Sequence, residues 1–285
     1  MDTTFVNCKK LNSEMTIPDS VTTMVSTFHN CSWLWKVNKL SNNITNMYQT
    51  FYNCYSLNTV PNIPSKVTNL AKTFYLCNSL VNAPSIPNSV TDMNMSFASC
   101  RSMTSAPNMS NANSVTNMSN TFSWSDSLTD IPTLPKSVKN MDMSFYYCSA
   151  LTHVADIPDS VTNMYQTFGM CTKLVTCPNI GNGVTNMYAT FAYCDKLTGD
   201  IRIKSPNVTN ARSCFTSTGT LNKNVYIPFT YDNGVQSATY NAFVAAGYSA
   251  STRVNGVLLM DPNHIMHTVT INPTPADATV SIYSV

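Results

Sequence analysis

The stretch VTNLAKTFYLCNSLVNAPSIPNSVTDMNMSFASC, residues 67–100, states one phrase and begins to repeat it. Val67-Thr68-Asn69 returns as Val90-Thr91-Asp92, Thr73-Phe74 as Ser96-Phe97 and Cys77 as Cys100, each 23 residues on. Working outward in both directions, the phenylalanine of this unit falls at Phe5, Phe28, Phe51, Phe74, Phe97, Phe122, Phe145, Phe168, Phe191 and Phe215. The spacing is 23 except for one step of 25 after Phe97 and one of 24 after Phe191. Such a period signals a solenoid, in which a unit too small to bury its own apolar face stacks on its neighbours. A repeat array grows along one axis without splitting, so the 285 residues read as one elongated domain with terminal pieces.

Aligned on phenylalanine, the copies carry leucine six residues later, at Leu11, Leu34, Leu57, Leu80, Met103, Leu128, Leu151, Leu174, Leu197 and Leu221. An isoleucine column runs through Ile17, Leu40, Ile63, Ile86, Met109, Leu134, Ile157, Ile180, Ile203 and Ile227. Residues that recur once per coil stack on themselves, so each column predicts an apolar stripe, and together the stripes fill the interior. The Val-Thr-Asn-Met segment (Val161 to Met164, Val184 to Met187) alternates at period two and predicts a short parallel strand with one face inward. Pro61, Pro84, Pro107, Pro132 and Pro178 remove donors between the leucine and isoleucine columns, so any ladder there should be interrupted.

Composition narrows the partners. Only 11% of residues are charged, against roughly 25% in ordinary globular proteins. Asn, Ser and Thr are abundant and favour turns and strands over exposed helices. The net charge of +2 is scattered, with no basic run, which argues against nucleic acid and against an anionic membrane surface. No apolar stretch approaches the roughly 20 residues of a membrane span, and MDTTFVNCKK lacks the apolar core of a signal peptide.

The pattern C-x-x-L-x-x-V-x-x-I-P-x-S-V-T-N-M-x-x-T-F-x-x-C resembles the BspA-type leucine-rich repeats, the treponemal 23-residue class of bacterial surface proteins, over roughly residues 1–228. Ile-Pro sits one residue later than is usual there, and the stretch before phenylalanine is shorter. The resemblance implies a leucine-rich-repeat solenoid of short parallel β-strands with irregular or short helical turns. It also implies a non-enzymatic extracellular recognition or adhesion scaffold at a bacterial cell surface, binding host protein or glycan. Such repeats occur in phage structural proteins too, so a tail or fibre component of a virion is the alternative.

Eight cysteines (Cys8, Cys31, Cys54, Cys77, Cys100, Cys148, Cys171, Cys194) occupy one repeat column, with Ser125 in place of the missing member. No pair has Cys-x-x-Cys spacing, which disfavours a zinc site. Neighbouring rungs roughly 5 Å apart would permit a bridge geometrically. Buried free thiols are favoured, because a free cysteine is a small apolar filler and Ser125 interrupts the column without changing its neighbours. Cys177 and Cys214 stand outside it in packing positions. The asparagines Asn46, Asn69, Asn117, Asn140, Asn163, Asn186 and Asn210 predict a structural ladder of inward amides serving backbone groups, rather than a ligand row. The methionine column (Met24, Met47, Met93, Met118, Met141, Met164, Met187) reads as core. His29 and His153 fall at variable, exposed places, and His264 with His267 lies in a linker without an acidic or cysteine partner. No motif context supplies a catalytic set, a phosphate loop or paired glutamates, so the expectation is no enzyme, no cofactor and no metal.

After Ile227-Pro228 the phrase breaks. Residues 229–262 read as a C-terminal cap in which Ser237 or Thr239 starts a helix carrying Tyr240, Phe243 and Val244 and ending at Gly247, flanked by strands at 224–229 and 256–260. Residues 263–285 resemble a linker and the opening strands of a small PEGA-like or immunoglobulin-like β-module, cut short. At the other end the first coil is incomplete and its apolar end needs cover, so the expectation is either a longer polypeptide or an assembly partner associating through that uncapped repeat. A ligand surface is sought among exposed residues that vary between copies, where aromatics are frequent: Trp33, Trp35, Tyr52, Tyr55, Tyr75, Trp124, Tyr146 and Tyr147. Their rigid apolar rings with polar tips suit sugars and protein hot spots alike, although many such rings simply pack beside the core.

Overall fold

The ten phenylalanines form one continuous stack, and the rest of each coil is arranged around it. In the computed structural model, which describes residues 1–219, 221–231, 235–254, 256–262, 267–270 and 279–282, successive rings lie 5.2–5.7 Å apart and within 15° of parallel from Phe5 to Phe215. Each such pair adds about 0.5–1.5 kcal/mol beyond burial. From Phe28 onward the stack is buried, and the leucine and methionine columns line it on both sides.

Two seams join each coil to the next. The first runs through the phenylalanine segment. In the second coil the amides of Met24, Ser26, Phe28 and Asn30 donate to the carbonyls of Asn46, Tyr48, Thr50 and Tyr52 at 2.8–3.0 Å. The amides between them, on Thr27, His29 and Cys31, close turns onto Met24, Ser26 and Phe28. These alternate amides therefore face the following coil, and the carbonyls that receive them face the preceding one. The expected Val-Thr-Asn-Met strand shrinks here to single parallel bridges, Asn46↔Asn69 through Asn186↔Asn210. The cause is backbone conformation: the residues two before and two after each phenylalanine, such as Gln49 (φ 54°) and Asn53 (φ 56°), are left-handed in every coil. An L-residue there costs about 1–2 kcal/mol, and in every coil before the last each is held by its bond to the next coil.

The second seam follows the leucine column and is a discontinuous parallel ladder. It consists of β1 (Met15–Thr16) on β2 (Val37–Lys39), β3 (Asp130–Ile131) on β4 (His153–Val154), and β5 (Gly199–Arg202) on β6 (Lys223–Tyr226), with single bridges at Lys36↔Thr59, Ser105↔Asp130 and Ile180↔Ile203. Pro61 and Pro84 fall in its gap between Thr59 and Ser105.

Buried polar columns satisfy the carbonyls that the seams leave under-used. The hydroxyl one residue before phenylalanine reaches the carbonyl four residues before phenylalanine in the preceding coil, as Thr73 does to Met47 (2.7 Å) and Thr167 to Met141 (2.8 Å). The cysteines do the same one step on: the thiols of Cys54, Cys77, Cys148 and Cys171 donate to the carbonyls of Phe28, Phe51, Phe122 and Phe145 at 3.0–3.1 Å. Ser125 donates to Phe97 at 2.9 Å and so performs the same task. The column is thus more than apolar filling.

Three column members depart from expectation. Cys8, in the first coil, is exposed. Leu221 is 45% exposed, and Lys223 turns inward instead, its stem buried and its ammonium donating to the Leu221 carbonyl at 2.7 Å. The asparagine amides are half-buried at the surface rather than inward. Each oxygen accepts the amide two residues on (Asn163 from Tyr165, 3.1 Å), and along Asp92, Asn117, Asn140, Asn163 and Asn186 each side-chain amine donates to the preceding oxygen.

Beyond the last phenylalanine come β7 (Thr230–Tyr231), β8 (Val235–Gln236), α1 (Ala238–Ala245) and β9 (Val257–Met260). Ser237 caps α1 by accepting the Tyr240 amide at 3.0 Å, and Gly247 leaves it with φ 88°. Phe243 extends the phenylalanine stack at 6.3 Å from Phe215, and the Tyr248 hydroxyl accepts the Phe215 amide at 2.9 Å. β9 adds a third parallel strand to β5–β6, and its outward amides at Val257 and Leu259 fold back onto the Val254 and Ser249 carbonyls. That protects the sheet edge. Strands β10 (His267–Thr270) and β11 (Thr279–Ile282) pair antiparallel. The rest of the proposed β-module, and His264, lie outside the described residues.

Candidate functional site

The phenylalanine segment alternates two residues in and two out. Numbered from phenylalanine, positions −4, −1, 0 and +3 are buried, while −3, −2, +1 and +2 face away from the interior. Because neighbouring coils are in register, those four outward positions become four parallel columns on one broad outer face. The −3 column holds Tyr48, Asp142, Tyr165 and Tyr188; the −2 column Gln49, Lys72, Met95 and Met143; the +1 column His29, Tyr52, Tyr75 and Tyr146; the +2 column Leu76, Trp124, Tyr147, Met170 and Tyr193. Charge is sparse on it.

Rings on this face stack along the axis as the core phenylalanines do. His29, Tyr52 and Tyr75 form a run at 4.4 and 4.8 Å, Tyr165 and Tyr188 pair at 5.1 Å, and Trp124 lies on Tyr147 at 4.2 Å. Stacking turns ring faces toward one another and ring edges and phenol tips toward solvent. Tyr146 meets Trp124 edge-on at 6.0 Å and lies over Gly169, where an added Cβ would stand 3.0 Å from the Tyr146 ring. Burial pushes the Tyr52 phenol up and the His29 imidazole down, so both are neutral at physiological pH. Burial also raises the carboxyl of Asp142, one of whose oxygens has no partner, the other lying 3.5 Å from the Ser119 hydroxyl.

Of the eight residues singled out from sequence, five lie on this face: Tyr52, Tyr75 and Tyr146, half-buried, and Trp124 and Tyr147, exposed. The other three do not join them. Trp33, Trp35 and Tyr55 lie beyond the cysteine column, exposed on a separate edge, with the Lys36 ammonium 5.6 Å from the Trp35 ring. His29 is half-buried at the head of a stack rather than exposed. Sequence reasoning missed Leu76, Met95, Met143 and Met170. The available signal was the spacing of near-invariant positions, which leaves paired variable positions between them.

Catalytic and metal chemistry have little to work with. Burial holds the ladder thiols protonated, Cys31 at about 11 and Cys54, Cys77 and Cys171 well above the ordinary thiol value. Among the described residues no group of three or more His, Cys, Asp or Glu side chains converges. His153 pairs with Asp130 across coils at 2.6 Å, both exposed. No helix among the described residues is long and apolar enough to cross a membrane.

A parallel solenoid with leucine, phenylalanine and asparagine columns, and an outer face left to vary, is a leucine-rich-repeat scaffold. The chain belongs to the BspA type leucine rich repeat family, whose six-copy model matches residues 1–129 and 116–245. Two solved structures are similar. One is a leucine rich cell surface protein from Faecalibacterium prausnitzii A2-165, 21% identical over 92% of this chain and 83% of that one, TM-score 0.38. The other is a leucine-rich repeat protein from Bacteroides ovatus ATCC 8483, 20% identical over 83% and 85%, TM-score 0.31. No curated protein matches the chain.

Proposed function

We propose that the chain is a non-enzymatic recognition scaffold displayed at a bacterial cell surface, and that it binds a protein or carbohydrate ligand through the outer face of the phenylalanine segment. One observation carries the reading: the four outward columns gather on a single face, where 13 of 40 residues are Tyr, Trp, Met or His and only Asp2, Lys72, Asp142 and Arg212 are charged. Tyrosine and tryptophan bring large rigid contact area with a hydroxyl or N–H at the tip, the residue types that dominate binding hot spots. Membership of the family supports surface display. No observation favours the phage tail or fibre alternative.

Arrays of glycans and of host extracellular proteins, probed with the whole chain, test the reading. A specific hit should be lost in Tyr52→Ala or Trp124→Ala, both of which leave the phenylalanine stack untouched, and retained in Trp33→Ala on the separate edge. Silence on both arrays, or a hit that only Trp33→Ala removes, counts against the outer face.

A further inference from the structure

The last coil leaves part of its first seam open. In every inner coil the four outward amides are taken by the next coil: Met187, Ala189, Phe191 and Tyr193 donate to Asn210, Arg212, Cys214 and Thr216 at 2.8–2.9 Å. The equivalent amides one coil later belong to Ala211, Ser213, Phe215 and Ser217. Tyr248 takes that of Phe215. Those of Ala211 and Ser213 meet no acceptor among the described residues, although Ala211 is buried and Ser213, at φ 58°, holds the same left-handed conformation that aims this amide at a partner in the coils above.

These two amides open into a groove of about 450 Å³ between the last coil and α1. Its far wall is Ala242, Ala246 and Gly247, side chains small enough to leave the room unfilled, and Arg212 is the one charged residue among those lining it. The wall also decides what kind of acceptor fits. The C-terminal end of α1 brings partial negative charge to the groove, which disfavours a free inorganic anion there and favours a neutral carbonyl dipole. The inner coils show the matching acceptor, a backbone segment that offers carbonyls at alternate residues.

We propose that a peptide segment of a partner protein adds to the last coil in this groove, carbonyls at alternate residues accepting from the Ala211 and Ser213 amides and an acidic side chain pairing with Arg212 on the rim. Main-chain addition of this kind, as in strand addition to a sheet edge, draws affinity from backbone hydrogen bonds and selectivity from the flanking side chains. The contact lies at the C-terminal end of the outer face and does not depend on its aromatic columns.

The test is a titration of the 15N-labelled whole chain with an acetylated, amidated five-residue peptide of alternating valine and threonine around a central aspartate, followed by amide shifts. Saturable shifts confined to Ala211, Ser213 and their neighbours are expected, weakened roughly tenfold by Arg212→Ala and abolished by Ala246→Leu, which fills the groove. Tyr52→Ala should change nothing, which separates this contact from the outer-face reading. Absence of shifts at those amides at millimolar peptide overturns the proposal. So does an equal response to inorganic sulfate, or binding that survives Ala246→Leu in a variant whose spectrum shows the fold intact.

Discussion

Replacing Ser125 separates two accounts of the cysteine column. If these side chains only fill space, alanine and cysteine at position 125 should differ by packing alone; if they cap a carbonyl, the donor matters. The Phe97 carbonyl is served by the Ser125 hydroxyl at 2.9 Å and, less closely, by the Cys100 amide at 3.3 Å. Ser125→Ala removes the better partner of a fully buried acceptor, a loss of about 1–1.5 kcal/mol with little cavity. Ser125→Cys restores what neighbouring coils already have and should stay within about 0.5 kcal/mol of the parent. Going the other way, Cys148→Ser keeps its bond to Phe122, whereas Cys148→Ala loses both bond and volume, about 2 kcal/mol together. Global melting is a poor assay, because a repeat array need not unfold in one step. Native-state hydrogen exchange at the Phe97 and Cys100 amides reads the local term directly. A loss of 1.4 kcal/mol appears as about tenfold faster exchange. Should Ser125→Ala and Ser125→Cys exchange within twofold of one another, carbonyl capping is refuted and the column is filler after all.

Three further outcomes follow from the geometry. Asp142 has its folded-state carboxyl raised by burial, so its contribution to stability is largest below the ordinary carboxylate range and is lost as pH rises through the raised value. Asp142→Asn should therefore melt higher than the parent at pH 7, by the equivalent of a few tenths to about 1 kcal/mol given its partial exposure, with no difference in acid; calorimetry across pH checks this. Tyr248→Phe strips the acceptor from the buried Phe215 amide and should cost about 1–3 kcal/mol, with exchange speeding at the last coil while the middle coils keep their protection. Gly183→Ala would place a methyl 2.2 Å from the Asp159 carbonyl oxygen, so a loss above about 2 kcal/mol is expected in chemical denaturation. Gly199→Ala, left-handed at φ 81° but in open space, should lose only about 1–2 kcal/mol.

Much of the architecture was legible because the repeat shows its interior column by column. Phe28 to Phe215, Leu34 to Leu197 and Met24 to Met187 pack where their spacing puts them. The left-handed residues were hidden, since Trp124, Met143 and Gln166 adopt that conformation without being residues that prefer it. Inter-coil hydrogen bonding imposes it, and local propensity does not record that. Leu221 misled for a related reason: its column persists in the letters after the coil beneath has changed, and Lys223 takes the inward place. On the outer face the aromatics were visible one at a time. Which of them share a surface depended on the two-in, two-out path, so Trp33 and Tyr55 were grouped with Tyr52 although the chain turns between them.

Along the phenylalanine segment the first seam has a direction: alternate main-chain amides point forward and the carbonyls that receive them point backward. A molecule wired in this way has interchangeable middles and two unlike ends. Splicing in or deleting a whole 23-residue unit leaves every junction chemically matched, so reach can be lengthened or trimmed without redesigning a single joint. Two leading ends brought together, by contrast, would set oxygen against oxygen along the phenylalanine segment, so that segment resists joining its own copy nose to nose.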